Sequence, residues 1–156
     1  MRVKKILING LIAINIVTLM CLATFAANSE DIKKHIIEQS KTMGVEPAIM
    51  LSIAKTESGF RQDIKSSGGH IGVFQLSPST AKTMGLNPYD LDDNIKGGIR
   101  YYKNMYEKFG SMELAVAAYN AGPDAIIRCN KTVPKYTQSF VSKIMTDYKK
   151  YKNEGL

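Results

Sequence analysis

EPAIMLSIAKTESGFRQDIKSSGGHIGVFQLSP, residues 46–78, decides how this chain is read. Pro47 suits the first turn of a helix, and Met50, Ile53, Ala54 and Glu57 follow at i, i+3, i+4 and i+7, the spacing of one apolar face. Glu57 therefore continues an inward stripe, just before Ser58-Gly59 breaks the helix. A carboxyl in that position loses hydration when it ionises, so its pKa is expected to rise toward neutrality. That is the setting of a general acid. The competing reading is a last-turn glutamate bent out to water or capped by a basic neighbour. A polar, glycine-bearing loop follows, Ser66-Ser67-Gly68-Gly69-His70-Ile71-Gly72, and leads to Val73-Phe74-Gln75-Leu76. Glycines there let the backbone come close to a ligand.

Further along, the order Glu57-Ser58, Ser66, Gly69, Gly72, Gln75, Pro78 and Thr80-Ala81 is joined by three more blocks. These are Asn94-Ile95 with Gly98 and Tyr101, then Ala117-Ala118-Tyr119-Asn120-Ala121-Gly122-Pro123, then Pro134 and Thr137 ahead of Phe140-Val141. Together they resemble the soluble lytic transglycosylase family of lysozyme-like enzymes. Any one block alone would be weak, but the ordered set spans nearly the whole chain after its N-terminal segment.

The resemblance implies a lysozyme-like bundle with a substrate cleft and a reaction on peptidoglycan glycan strands. Glycoside hydrolysis ordinarily uses two carboxylates. This sequence offers Glu57 and no second acid in an equivalent motif, since Asp63 sits in a polar stretch with Arg61 and Lys65 and reads as a solvated loop charge. The family chemistry fits that shortage. Glu57 would act as acid and then as base on the β-1,4 bond between N-acetylmuramic acid and N-acetylglucosamine, leaving a 1,6-anhydro end. Ser66 and Gln75 stand at the family's substrate-bonding positions. Tyr119, with Asn120 beside it, stands where a tyrosine hydroxyl touches or orients the acid, and Tyr101 would add a wall. His70, Phe74, Ser77, Gln62 and Tyr136 depart from the family's usual residues, and His70 is read as filling space at the cleft lip. The alternatives are a hydrolytic muramidase on the same scaffold and a non-catalytic wall-binding subunit, the latter disfavoured by the presence of the acid.

The chain has 156 residues, 44% of them hydrophobic, which suits one domain with its own core. Arg2, Lys4 and Lys5 precede an apolar stretch from Ile6 to about Phe25, with small residues at Ala23, Ala26 and Ala27. This is the layout of a secretory signal peptide, residues 1–26, ahead of a domain at 27–156. An uncleaved anchor is the competing reading, and Met20 before Cys21 argues against lipidation. The expected location is extracytoplasmic, in the periplasm, at the cell surface or secreted, with the membrane involved only through an uncleaved N-terminal segment. Without its first three basic residues the chain keeps 18 of 21 against 14 acidic ones, a moderate positive balance that favours anionic partners such as wall polymers. No basic block or aromatic ladder argues for nucleic acid. Two histidines and Cys129 at no ligand spacing argue against a metal site, and no cofactor is expected. By size and resemblance, an enzyme opening local gaps for a secretion, conjugation or pilus machine is expected.

The periodicities predict an all-α domain. Asn28 or Ser29 is expected to cap a first helix through about Met43, with Ile32, Ile36, Ile37 and Met43 inward and His35 beside them without a nearby partner. Ser77-Pro78 opens a short helix ending at Met84-Gly85. Asp92 or Asp93 is expected to cap a long helix in which Ile95, Ile99, Tyr102, Met105, Tyr106 and Phe109 recur at helical spacing. Gly97-Gly98 inside it is read as a close helix contact. Ser111 starts a helix from Met112 to Asn120, expected to be the most buried. A brief piece at Asp124 to Arg128 precedes a last helix with Tyr136, Phe140, Val141, Ile144, Tyr148 and Tyr151 inward.

Overall fold

Residues 28–156 are described by the computed structural model, so the expected signal segment and Cys21 lie outside the described residues. The chain divides after Ile32, and the fold is that of the unit Lys33–Leu156. α1 covers residues 28–42, entering the unit at Lys33, and is followed by α2, Pro47–Glu57. Then come α3, Pro78–Met84; α4, Leu91–Phe109; α5, Met112–Ala121; α6, Pro123–Arg128; a 3-10 turn, Lys135–Thr137; and α7, Gln138–Asn153. No strand forms among the described residues, and the loop between α2 and α3 holds only two isolated bridges, Lys65 with Ile71 and Ile71 with Leu76. The all-α expectation holds.

Local signals set most helix starts. Pro47, Pro78 and Pro123 occupy first turns, where a missing N–H goes unnoticed. The Ser77 and Ser111 hydroxyls accept from the N–H groups of Thr80 at 3.0 Å and Leu114 at 3.4 Å. Two expected caps are corrected. Residues 28 and 29 are already helical, so neither Asn28 nor Ser29 caps α1. Asp90, not Asp92 or Asp93, caps α4, its Oδ1 accepting from Asp93 N–H at 3.0 Å. The other two carboxylates are engaged elsewhere, Asp92 with His35 Nε2 at 2.7 Å and Asp93 with the Asn87 N–H at 2.8 Å. His35 thus has a partner after all, one that is distant in sequence.

α2 packs along α7, and α4 along α5. The longest buried run is Ala48–Ala54 of α2, not the α5 run Ala115–Tyr119 as expected. α2 tolerates this because its buried Ser52 hydroxyl donates to the Ala48 carbonyl at 2.7 Å. An ion pair between Lys55 and Asp147 adds to the α2–α7 seam. In α1, Ile36 is buried while Ile37 is only partly so, as is Met43 just past its end. Tyr106 and Tyr136, expected inward, are exposed. Tyr106 lies at the edge of the α4 stripe, stacked on Tyr102 with centroids 6.3 Å apart. Tyr136 falls in the 3-10 turn, where the period of α7 does not apply.

Gly97 and Gly98 do mark a close approach, but the neighbour is the loop after α2, not a helix. A Cβ at residue 98 would lie within 2.6 Å of the Phe74 Cβ, and one at residue 97 would collide with the Leu76 side chain. The loop is thereby laid flush on α4.

Candidate active site

Glu57 is the last residue of α2. Ser58 ends the helix by donating its N–H to the Ala54 carbonyl at 3.0 Å, and Gly59 and Phe60, both at φ 63°, turn the chain away. Neither nearby cation caps the acid. Arg61 Nε donates to the Ser58 carbonyl at 2.9 Å, and Lys55 is paired with Asp147. Glu57 is left half-buried, and burial pushes its pKa from 4.5 up to about 7. Desolvation disfavours the charged form, and no cation is present to offset it.

The carboxyl faces a cavity of about 200 Å³ that it lines with Ser66, His70, Gln75, Tyr119 and Asn120. A second cavity of about 240 Å³ shares His70, Gln75, Tyr119 and Asn120 and extends to Thr80 and Tyr101. Five of the six site residues expected from sequence thus meet in the first cavity, and Tyr101 joins through the second. Among the described residues no other carboxylate lines either cavity, and Asp63 is exposed elsewhere on the loop. No three His, Cys, Asp or Glu side chains among the described residues come together to hold a metal.

The loop wall is fastened from three sides. Gln62 Oε1 accepts from Val73 N–H at 3.1 Å, while its Nε2 donates to the Pro88 carbonyl at 3.0 Å. Asn94, fully buried on α4, accepts from Phe74 N–H at 2.9 Å and donates to the carbonyls of Ile71 and Pro88 at 2.8 and 2.9 Å. Sequence reasoning counted Asn94 only as a matching position; its role as the peg of this wall depends on partners too distant for a local pattern. Gly72 must lack a side chain, since a Cβ there would stand 2.5 Å from Asn94 Nδ2, and its φ is 77°.

Each expected contact residue has a defined place. The Tyr119 hydroxyl donates to the Phe74 carbonyl at 2.8 Å, so its proton is not given to Glu57. Burial first, then the nearby Glu57 and Tyr101, raises the Tyr119 pKa well above its ordinary value, keeping it neutral. Tyr101 meets the Tyr119 ring edge-on, centroids 5.2 Å apart. Gln75 is held at φ 47° and donates its Nε2 to the Gly72 carbonyl at 3.0 Å. Ser66 Oγ accepts from His70 N–H at 3.1 Å, closing the loop on itself. Asn120 is exposed at the end of α5, and His70 is exposed as well, so its imidazole fills no interior space. In Glu57 the arrangement offers a proton that is transferable near neutral pH, beside a polar, aromatic-edged trough.

Comparison with known proteins agrees with this architecture. The transglycosylase SLT domain profile matches residues 34–140. The transglycosylase of Enterobacteria phage PRD1 is 32% identical over 84 residues, covering 53% of this chain and 32% of that protein. The soluble lytic murein transglycosylase of Escherichia coli is 33% identical over 88 residues, covering 49% of this chain and 14% of that one. The chain therefore spans about a third or less of the length of these relatives. An inactive mutant of the lytic transglycosylase Slt from Pseudomonas aeruginosa superposes with a TM-score of 0.69 at 24% identity, covering 78% of this chain and 24% of that one. The 70 kDa soluble lytic transglycosylase of Escherichia coli gives 0.66 at 23% identity, covering 74% and 23%. These structures share the lysozyme-like helical fold.

Proposed function

The chain belongs to the transglycosylase SLT domain family, and from that premise we propose that it is a peptidoglycan lytic transglycosylase with Glu57 as its single acid and base. The observation that carries the reading is the Glu57 carboxyl, held near pKa 7 by burial in a cleft that no other carboxylate lines among the described residues. Glu57 protonates the glycosidic oxygen between N-acetylmuramic acid and N-acetylglucosamine. The C1–O bond breaks, and the muramoyl C6 hydroxyl closes on C1 while the Glu57 carboxylate takes its proton. The proton from Glu57 stays on the departing N-acetylglucosamine hydroxyl, the acid is restored, and no water is consumed. An internal nucleophile held beside the reacting carbon stands in for a second carboxylate.

Gln75, Asn120, Ser66 and Tyr101 contact the glycan in this proposal, and Tyr119 shapes the wall by holding Phe74. The chain acts outside the cytoplasm, where its substrate lies, with residues 1–26 as export signal. No helix among the described residues is long and apolar enough to cross a membrane. Service to a secretion, conjugation or pilus machine belongs to the same proposal; rapid dissolution of whole sacculi by the isolated protein would remove its motive.

The test is mass spectrometry of the products released from purified peptidoglycan, run beside Glu57→Gln. Muropeptides lighter by one water than hydrolysed ones, absent with the variant, are expected. Hydrated, reducible ends would overturn transglycosylation in favour of a muramidase.

A further inference from the structure

Four residues line both cavities of the cleft, namely His70, Gln75, Tyr119 and Asn120. Two of them already give a proton to the protein. Gln75 Nε2 donates to Gly72 and the Tyr119 hydroxyl to Phe74. His70 and Asn120 are exposed, and among the described residues no side-chain hydrogen bond engages either one. At the junction of the cavities, His70 and Asn120 are thus fully open to a ligand, while Gln75 keeps its Oε1 and one N–H for it.

The loop backbone that carries His70 is closed by its own hydrogen bonds. His70 N–H donates to Ser66 Oγ at 3.1 Å, Ser66 N–H donates to the His70 carbonyl at 2.9 Å, and Gly69 N–H donates to the Ser66 carbonyl at 2.9 Å. The ring lies back over Gly68, its Nδ1 3.2 Å from where a Cβ on that residue would stand. The lining also restricts the ligand. Among the described residues no lysine or arginine borders either cavity, while hydroxyls, amides and the Tyr101 ring do. A neutral, polyhydroxylated ligand bearing an amide matches that surface; a polyanion would lack counter-charges.

We propose that His70 is a substrate-contacting, specificity-determining residue, its imidazole hydrogen-bonding the N-acetylhexosamine ring seated where the two cavities meet, from the loop wall, with Asn120 on the α5 wall. This rests on the reading of the cleft as a glycan site. It gives a role to a side chain that stands where the resembling family has a small one.

The experiment is steady-state cleavage of purified peptidoglycan glycan strands by the protein, His70→Ala and His70→Gln, with thermal melts of each. Binding of tetra-N-acetylchitotetraose by calorimetry accompanies it, to Glu57→Gln with and without His70→Ala. Loss of one hydrogen bond should raise KM about fivefold with kcat held within about twofold. Oligosaccharide binding should weaken by the same factor, and the melting temperature should stay unchanged. His70→Gln keeps a donor and an acceptor at similar reach and should recover more than half of the loss. Unchanged KM and binding in His70→Ala would overturn the proposal, as would a lowered melting temperature with a parallel fall in kcat, or a His70→Gln variant no better than His70→Ala. The mass of the products reports separately on the reaction: hydrated ends would refute transglycosylation and leave the His70 result standing.

Discussion

The Tyr119 hydroxyl donates to the Phe74 carbonyl at 2.8 Å, and the same residue's N–H is held by Asn94 Oδ1 at 2.9 Å. Phe74 is therefore gripped on both polar sides, by α5 and by α4, at the back of the cleft wall. Tyr119→Phe leaves the buried carbonyl unpaired and should cost about 1–3 kcal/mol in denaturant unfolding. Because the hydroxyl proton goes to the wall and not to Glu57, kcat should fall less than about tenfold. A hundredfold loss of kcat at unchanged stability would instead make the hydroxyl an orienter of the acid.

Asn94→Ala removes three hydrogen bonds from the wall and strands the buried Phe74 N–H, while the Ile71 and Pro88 carbonyls keep the Leu76 N–H and Gln62 Nε2. About 3 kcal/mol or more of destabilisation is expected, with glycan binding lost before helix content. Gly98→Ala attacks the same wall from behind, driving a methyl group into the Phe74 ring. About 1–3 kcal/mol is expected in thermal or chemical unfolding; a neutral Gly98→Ala would mean the loop lifts off α4 freely.

Glu57 links stability to pH in a stated direction. Its folded pKa of about 7 lies above the ordinary 4.5, so between those values the folded state binds more protons than the unfolded one. The stability is fully present below pH 4.5 and declines as pH rises to 7, by up to about 3 kcal/mol. Glu57→Gln should flatten this window and be the more stable protein at pH 8 in urea titrations, while its turnover falls at least about a thousandfold. A parallel decline in the variant would assign the pH dependence to another group.

The same proton shapes the activity profile. In the proposed reaction only the protonated carboxyl can begin, so kcat/KM should drop tenfold per pH unit above a midpoint near 7. A second essential carboxylate, as in a two-acid hydrolase, would add an acidic limb that this site does not call for.

What could be read from the chain was what short-range chemistry decides. Pro47, Ser77 and Ser111 announce their helices because each acts on the backbone within three residues, and the i, i+3, i+4, i+7 spacing placed Glu57 at the inner edge of α2. The α4 cap was not legible in the same way: Asp90, Asp92 and Asp93 are chemically alike, and they are sorted by His35, far off in sequence, and by the turn at Asn87. Likewise nothing near Asn94 reveals that its amide serves residues 71, 74 and 88, and nothing near Tyr119 reveals Phe74 as its acceptor, 45 positions away. The family resemblance named residues that meet along one cleft without saying which of them bind the protein itself.

Because the Glu57 helix is seated along α7 while the facing loop hangs from Asn94, Gly98 and Tyr119 on α4 and α5, the proposed proton donor and the loop proposed to contact the sugar are mounted on separate supports. On that proposal, exchanges at the loop's exposed positions, residue 70 foremost, would retune which strand is gripped while the donor stays where it was. A descendant of this chain could change its diet without relearning its chemistry.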